Sequence, residues 1–120
     1  MKRLFIILSV IFILFLACTK KTYQIIAKNT TTQAYADLSY NDGSQKYSLI
    51  TGPQATNSAS VREGIYDYTL WIRTGSDSIA YIGTMYFNDW GSKVNVDAVF
   101  TIYFDEATQS HRYDLYYKVH

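Results

Sequence analysis

Val94-Asn95-Val96-Asp97-Ala98-Val99-Phe100-Thr101-Ile102-Tyr103-Phe104 decides the fold class. Val94, Val96, Ala98, Phe100, Ile102 and Phe104 recur at every second position, while Lys93, Asn95, Asp97 and Thr101 take the alternate phase. A period of two sends the two sets to opposite faces of a pleated strand, one buried and one wet. Tyr113, Leu115, Tyr117 and Val119 repeat the pattern against Arg112, Asp114, Tyr116 and Lys118. Upstream, Tyr66, Tyr68, Leu70 and Ile72 oppose Asp67, Thr69 and Arg73. With no helical period beside them, these three stretches predict an all-β chain. The 12 tyrosines and the many Thr, Val and Ile residues suit half-buried sheet.

Turn chemistry divides the remainder. Asn41-Asp42-Gly43, Thr74-Gly75-Ser76-Asp77 and Asn88-Asp89-Trp90-Gly91 each supply residues that tolerate positive φ between strand-like runs. Gly52-Pro53 heads the polar stretch Gln54 to Ser60, and Asp105 to Ser110 forms the longer last loop. Strands are expected at 22–28, 34–40, 45–51, 58–63, 65–73, 78–88, 93–104 and 111–119. A membrane β-barrel needs strands of about ten residues with an apolar outer band. The first four strands here are short and carry Lys28, Asp37, Lys46 and Arg62, so a barrel is rejected.

Glu63-Gly64-Ile65-Tyr66-Asp67-Tyr68-Thr69-Leu70 resembles the G-x-Y-x-x-x-L step of many immunoglobulin-like and transthyretin-like extracellular modules, with Gly64, Tyr66 and Leu70 matching. The resemblance implies that the glycine turns the chain and the tyrosine packs at the sandwich edge. Together with the strand spacing it predicts an antiparallel immunoglobulin-like β-sandwich of about seven to eight strands over 23–120. Such modules host unrelated functions, so the architecture carries no activity.

The first eighteen residues read as an address. Lys2 and Arg3 precede an apolar run, Leu4 to Leu16, broken only by Ser9 and ending at Ala17-Cys18. This is the three-part layout of a secretory signal, too short for a comfortable membrane span. Phe15-Leu16-Ala17-Cys18 resembles the lipobox of bacterial lipoproteins, and Cys18 is the only cysteine of the chain. The resemblance implies a signal peptide at 1–17, acylation of Cys18, and a short tether at 18–22. Membrane lipid is then the first expected partner, because several acyl chains hold a protein firmly where one does not. Thr19 stands where many lipoproteins retained at the inner membrane have Asp, so the resemblance favours the outer membrane.

Eleven basic residues face ten acidic ones, a formal charge of +1. Loss of Lys2 and Arg3 with the signal leaves a near-neutral chain of roughly one hundred residues, one ordinary domain. No basic patch calls for nucleic acid. Lys20-Lys21 reads as a solvated tether, and acylation of Cys18 removes the only thiol, so no disulfide is expected.

No catalytic motif emerges. His111 and His120 are the two histidines. Asp105, Glu106 and His111 share a loop, but their spacing matches no metal-ligand pattern, so neither metal nor cofactor is expected. Asn29-Thr30-Thr31 has the form of a glycosylation sequon and is read as incidental. The aromatic residues are the stronger lead. Trp71, Tyr103 and Tyr116 fall opposite the core phase of their strands and would form an exposed platform if those strands are neighbours. Trp90 sits at an expected hairpin tip. Rings of this kind give large contact area at low entropic cost, though cross-strand packing and core burial also use them. The sequence thus predicts a lipid-anchored, non-catalytic binding or structural module with an envelope protein or a glycan as partner. The alternative is a periplasmic inhibitor or accessory subunit acting through Asp105 to Ser110 or Gln54 to Ser60.

Overall fold

The computed structural model describes residues 22–91 and 94–120. The signal peptide, Cys18, Thr19, Lys20-Lys21 and Lys93 lie outside the described residues. Period-two stretches become strands throughout: β1 (Tyr23–Asn29), β2 (Tyr35–Asn41), β3 (Lys46–Thr51), β4 (Thr56–Val61), β5 (Gly64–Arg73), β6 (Ser78–Phe87), β7 (Val96–Asp105) and β8 (Ser110–Val119). Every expected strand is present, with ends moved by up to three residues. Most of the polar stretch from Gln54 belongs to β4 and is no loop: Thr56 to Val61 pairs with β1 along its whole length.

The strands form two four-stranded sheets, β4-β1-β7-β8 and β3-β2-β5-β6. The fold is therefore an all-β sandwich of eight strands, immunoglobulin-like in its two-sheet architecture. β2–β3, β5–β6 and β7–β8 are hairpins within a sheet, whereas the other connections carry the chain from one sheet to the other. Pairing is antiparallel except between β1 and β7, which run parallel from Tyr23↔Val96 to Asn29↔Ile102. Those two strands are separated by the intervening chain, as a parallel pair requires.

The expected inward phase holds where both sheets cover it. Tyr66, Tyr68, Leu70 and Ile72 of β5 face Val96, Ala98, Phe100 and Ile102 of β7 across the core, all buried. On β8, at the edge, Tyr113, Leu115 and Tyr117 are only partly covered and Val119 is exposed, as is Phe104 at the end of β7.

Asn29 locks one end of the sandwich. Its side-chain amide donates to the carbonyls of Ala34 (2.8 Å) and Thr51 (3.2 Å), and its oxygen accepts from the Thr31 amide and hydroxyl (3.1 and 2.6 Å). One buried amide thereby satisfies polar groups in both crossings at that end. The sequon asparagine is 2% exposed and fully engaged, so the folded domain offers no acceptor there.

Candidate functional site

The opposite end of the sandwich is open. There the β2–β3 hairpin and the β4–β5 corner stand apart and leave a cleft of about 510 Å³, lined by Tyr40, Asp42, Ser44, Gln45, Tyr47, Ser60, Val61, Arg62 and Tyr66. Its lining is mixed: three tyrosines and Val61 stand among Asp42, Ser44, Gln45, Ser60 and Arg62, so it is more polar than the apolar walls usual in a small-ligand pocket.

Local chemistry builds each wall. Tyr40 and Tyr47 occupy directly opposed positions on β2 and β3, and their rings stack at 5.3 Å. Tyr66 meets Tyr40 edge-on at 6.0 Å, and its hydroxyl donates to the Arg62 carbonyl at 2.9 Å, fixing the corner two residues before Gly64. Burial raises the hydroxyls of both Tyr40 and Tyr66 above the ordinary phenol value, with neighbouring tyrosine charge adding to the effect at Tyr40. Both therefore present neutral hydroxyl groups at neutral pH.

Asp42 shapes the hairpin lip. One of its oxygens accepts from the Gln45 amide (2.8 Å), the Ser44 amide (2.9 Å) and the Ser44 hydroxyl (2.8 Å). Those bonds hold its carboxyl down at about 2, led by the Gln45 amide, so a full negative charge stands at the rim. Tyr47 completes the lip by donating to Gln45 Oε1 at 2.7 Å. Arg62 contributes an exposed guanidinium on the far side. The cleft offers the exposed Tyr47 ring and charges of both signs, backed by Tyr40 and Tyr66, which belong to the core.

The aromatic residues singled out from the sequence do not share a surface. β5 lies in one sheet while β7 and β8 lie in the other, so Trp71 faces outward on the side of the molecule opposite Tyr103 and Tyr116. Half-buried Trp71 carries the Arg73 guanidinium over its ring at 4.8 Å. Tyr103 is level with Arg112 and Tyr116 with Val99, a separation of four residues along the sheet, roughly 13 Å. Trp90 is no exposed tip. Its indole N–H donates to the Tyr86 carbonyl at 2.8 Å, and its ring lies 5.3 Å from that of Tyr117, against the core.

The histidines also find partners away from the expected loop. His111 packs edge-on to Phe104 at 5.1 Å and lines a hollow with Asp77, while Asp105 turns to Arg112 at 3.6 Å. His120 Nε2 lies 2.7 Å from Asp97, and its amide donates to the Asn95 carbonyl, so the last residue is tied down rather than frayed. Among the described residues no three His, Cys, Asp or Glu side chains converge as a metal site would require. The Glu106–Gln109 turn folds back on itself, with the Ala107 amide on Asp105 and the Gln109 amide on the Glu106 carbonyl. No known protein family, curated protein or solved structure matches the chain.

Proposed function

We propose that the protein is a small lipid-anchored cell-envelope protein whose β-sandwich is a non-catalytic binding module, with the tyrosine-walled cleft as its binding site. The observation that carries the reading is the cleft itself: stacked Tyr40 and Tyr47, edge-on Tyr66, and the Asp42 and Arg62 charges around one opening. The lipobox-like Phe15-Leu16-Ala17-Cys18 supports the anchor. Tyr23, where β1 begins, pairs with Val61 at the cleft. Four residues separate Tyr23 from an acylated Cys18, a span of about 17 Å if extended. The cleft would therefore face the headgroup side, within reach of partners in or on the membrane. Loop-based inhibition has less support, because one candidate loop is mostly β4 and the other is folded on itself.

Two measurements test the reading separately. Cys18→Ser should abolish lipid labelling and leave the precursor uncut; a mature protein with an unmodified thiol refutes the anchor. For the cleft, the immobilised protein should retain an envelope protein or glycan from extract. Tyr47→Ala should release that ligand while keeping the parent's circular dichroism and a cooperative melt, lowered only by the lost Tyr40 stacking, about 0.5–1.5 kcal/mol. Equal capture by parent and variant refutes the cleft as the site.

A further inference from the structure

The two sheets end in four edge strands, and among the described residues only one is left undefended. β8 alternates Arg112, Asp114 and Lys118 along its outward phase. β3 is short, carries Lys46, and has its Ile50 carbonyl taken by the Asn57 side chain at 3.1 Å. β4 has six residues, nearly all small or polar. β6, by contrast, has ten residues from Ser78 to Phe87 and not one charge. Long uncharged edges are what natural sheets avoid unless the edge is used.

Hydrogen bonding fixes which backbone groups of β6 are open. Thr74 N–H donates to the Asp77 carbonyl at 2.8 Å, closing the β5–β6 hairpin on that pair. At the other end, Tyr86 N–H points away from β5 and donates to the Tyr117 hydroxyl at 3.0 Å. Antiparallel strands alternate between groups turned toward and away from the neighbour. Both observations therefore give the same phase: Ser78, Ala80, Ile82 and Thr84 turn N–H and C=O away from β5. At the centre stands Ile82, 82% exposed, the most exposed large apolar residue among the described ones.

We infer that β6 is the interface for a second copy of this chain, joined by antiparallel β6–β6 pairing about a two-fold axis through Ile82. The pattern of β6 complements itself about that point. Ile82 meets the partner's Ile82, and Ala80 and Thr84 meet Thr84 and Ala80 of the partner subunit. Each open N–H finds an open C=O, and no charge is brought against a like charge. The Tyr117 hydroxyl caps Tyr86 beyond the paired segment and so limits its length. The two β3-β2-β5-β6 sheets then run on as one sheet of eight strands, and the paired Ile82 side chains cover each other.

The test uses the full chain in mild detergent. The parent should be a dimer by light scattering at micromolar concentration. Ile82→Lys should weaken dimerisation at least tenfold while keeping the parent's circular dichroism and a cooperative melt, since its side chain is almost wholly outside the core. In a Cys18→Ser background, Ile82→Cys should cross-link to a dimer on mild oxidation. Ser58→Cys, on the outer face of the other sheet, should not. A monomeric parent overturns the inference and leaves β6 to a strand of another protein. So does a dimer undiminished by Ile82→Lys, or equal cross-linking from positions 58 and 82.

Discussion

The ring of Tyr68 lies over the bare backbone of Gly83, the residue directly opposite it in the β5–β6 ladder. Gly83 is absent from the positive-φ positions, so space rather than backbone freedom selects glycine. A methyl group there would fall 2.6 Å from the Tyr68 ring carbon Cζ. The ring cannot withdraw easily. It is 5% exposed, stands edge-on to Phe100 at 5.0 Å, and its hydroxyl shares a 2.7 Å hydrogen bond with Tyr113 on β8. The missing side chain thus opens the path by which β5 reaches the edge of the opposite sheet. Aromatic cover of a glycine is a known device for pinning strand register. Gly83→Ala should cost about 1–3 kcal/mol, the range for overpacking a tight core, read by denaturant unfolding. A variant as stable as the parent would mean the ring has another place to go.

Asn29 carries a second concentrated load. Asn29→Ala takes this partner from the Thr51 carbonyl and the Thr31 amide in a buried setting, while the Ala34 carbonyl keeps the Thr31 hydroxyl at 3.1 Å. Each unsatisfied buried group costs about 1–3 kcal/mol, so the expected loss is about 2 kcal/mol or more. Asn29→Asp should fare little better, because a carboxylate cannot donate to the two carbonyls. Thermal melts would decide, at about 4–8 °C per kcal/mol in a domain of this size.

The contrast between what the sequence revealed and what it hid follows from range. β5, β7 and β8 were legible because inward residues such as Leu70, Phe100 and Leu115 alternate with polar ones on a single strand. Thr56 to Val61 is an edge strand of mostly small polar residues, so its signal was faint and its expected start fell two residues late. Hairpin neighbours could be read from the turns, but pairings between distant strands, such as β1 with β7, could not. Asn88 to Gly91 leads from one sheet to the other rather than closing a hairpin. Nothing local distinguishes Trp71 on β5 from Tyr103 on β7, yet the topology puts them on opposite faces. The cleft stayed hidden for the same reason. Asp42 and Arg62 belong to separate turns that meet only because β2–β3 and β4–β5 end on the same side. Trp90 misled differently: a turn sequence implied exposure, whereas its N–H bends back to Tyr86.

Stability should fall on both sides of neutrality, through identifiable groups. The Asp42 carboxyl is lowered from 3.8 to about 2 by the Gln45 and Ser44 hydrogen bonds. A depressed carboxyl contributes stability that is full above the unfolded value and lost as pH falls through the folded one. The Asp42 share should therefore disappear between about pH 4 and pH 2. Tyr40, Tyr66 and Tyr68 are raised above 10.0, chiefly by burial, with the Tyr113 hydrogen bond adding at Tyr68. A raised phenol works in reverse: its share is full below about pH 10 and lost as pH climbs toward the folded value. In melting temperature against pH, Asp42→Asn should depart from the parent's slope only below about pH 4. Tyr68→Phe should flatten the alkaline limb. An alkaline limb identical in parent and Tyr68→Phe would remove Tyr68 as a cause.

Trp71 and Trp90 should separate by magnitude. Trp71 is half-buried on the outer face of its sheet, and its specific contact is the Arg73 guanidinium at 4.8 Å. A cation–π contact at an exposed site is worth about 0.5–1 kcal/mol, so Trp71→Ala should cost about 1 kcal/mol. Trp90 loses more when cut back: an indole hydrogen bond to Tyr86, the Tyr117 ring contact, and packing against the core. Its expected cost is about 2–3 kcal/mol, below the roughly 3–5 kcal/mol of a fully buried ring because it is only partly covered. Tyr117 also holds the Tyr86 N–H, so loosening Trp90 should disturb the open edge of β6 as well. Hydrogen exchange at the Tyr86 amide reads that coupling. It should quicken in Trp90→Ala and stay at the parent's rate in Trp71→Ala. If both variants lose equal stability with Tyr86 unaffected, Trp90 does not brace that edge.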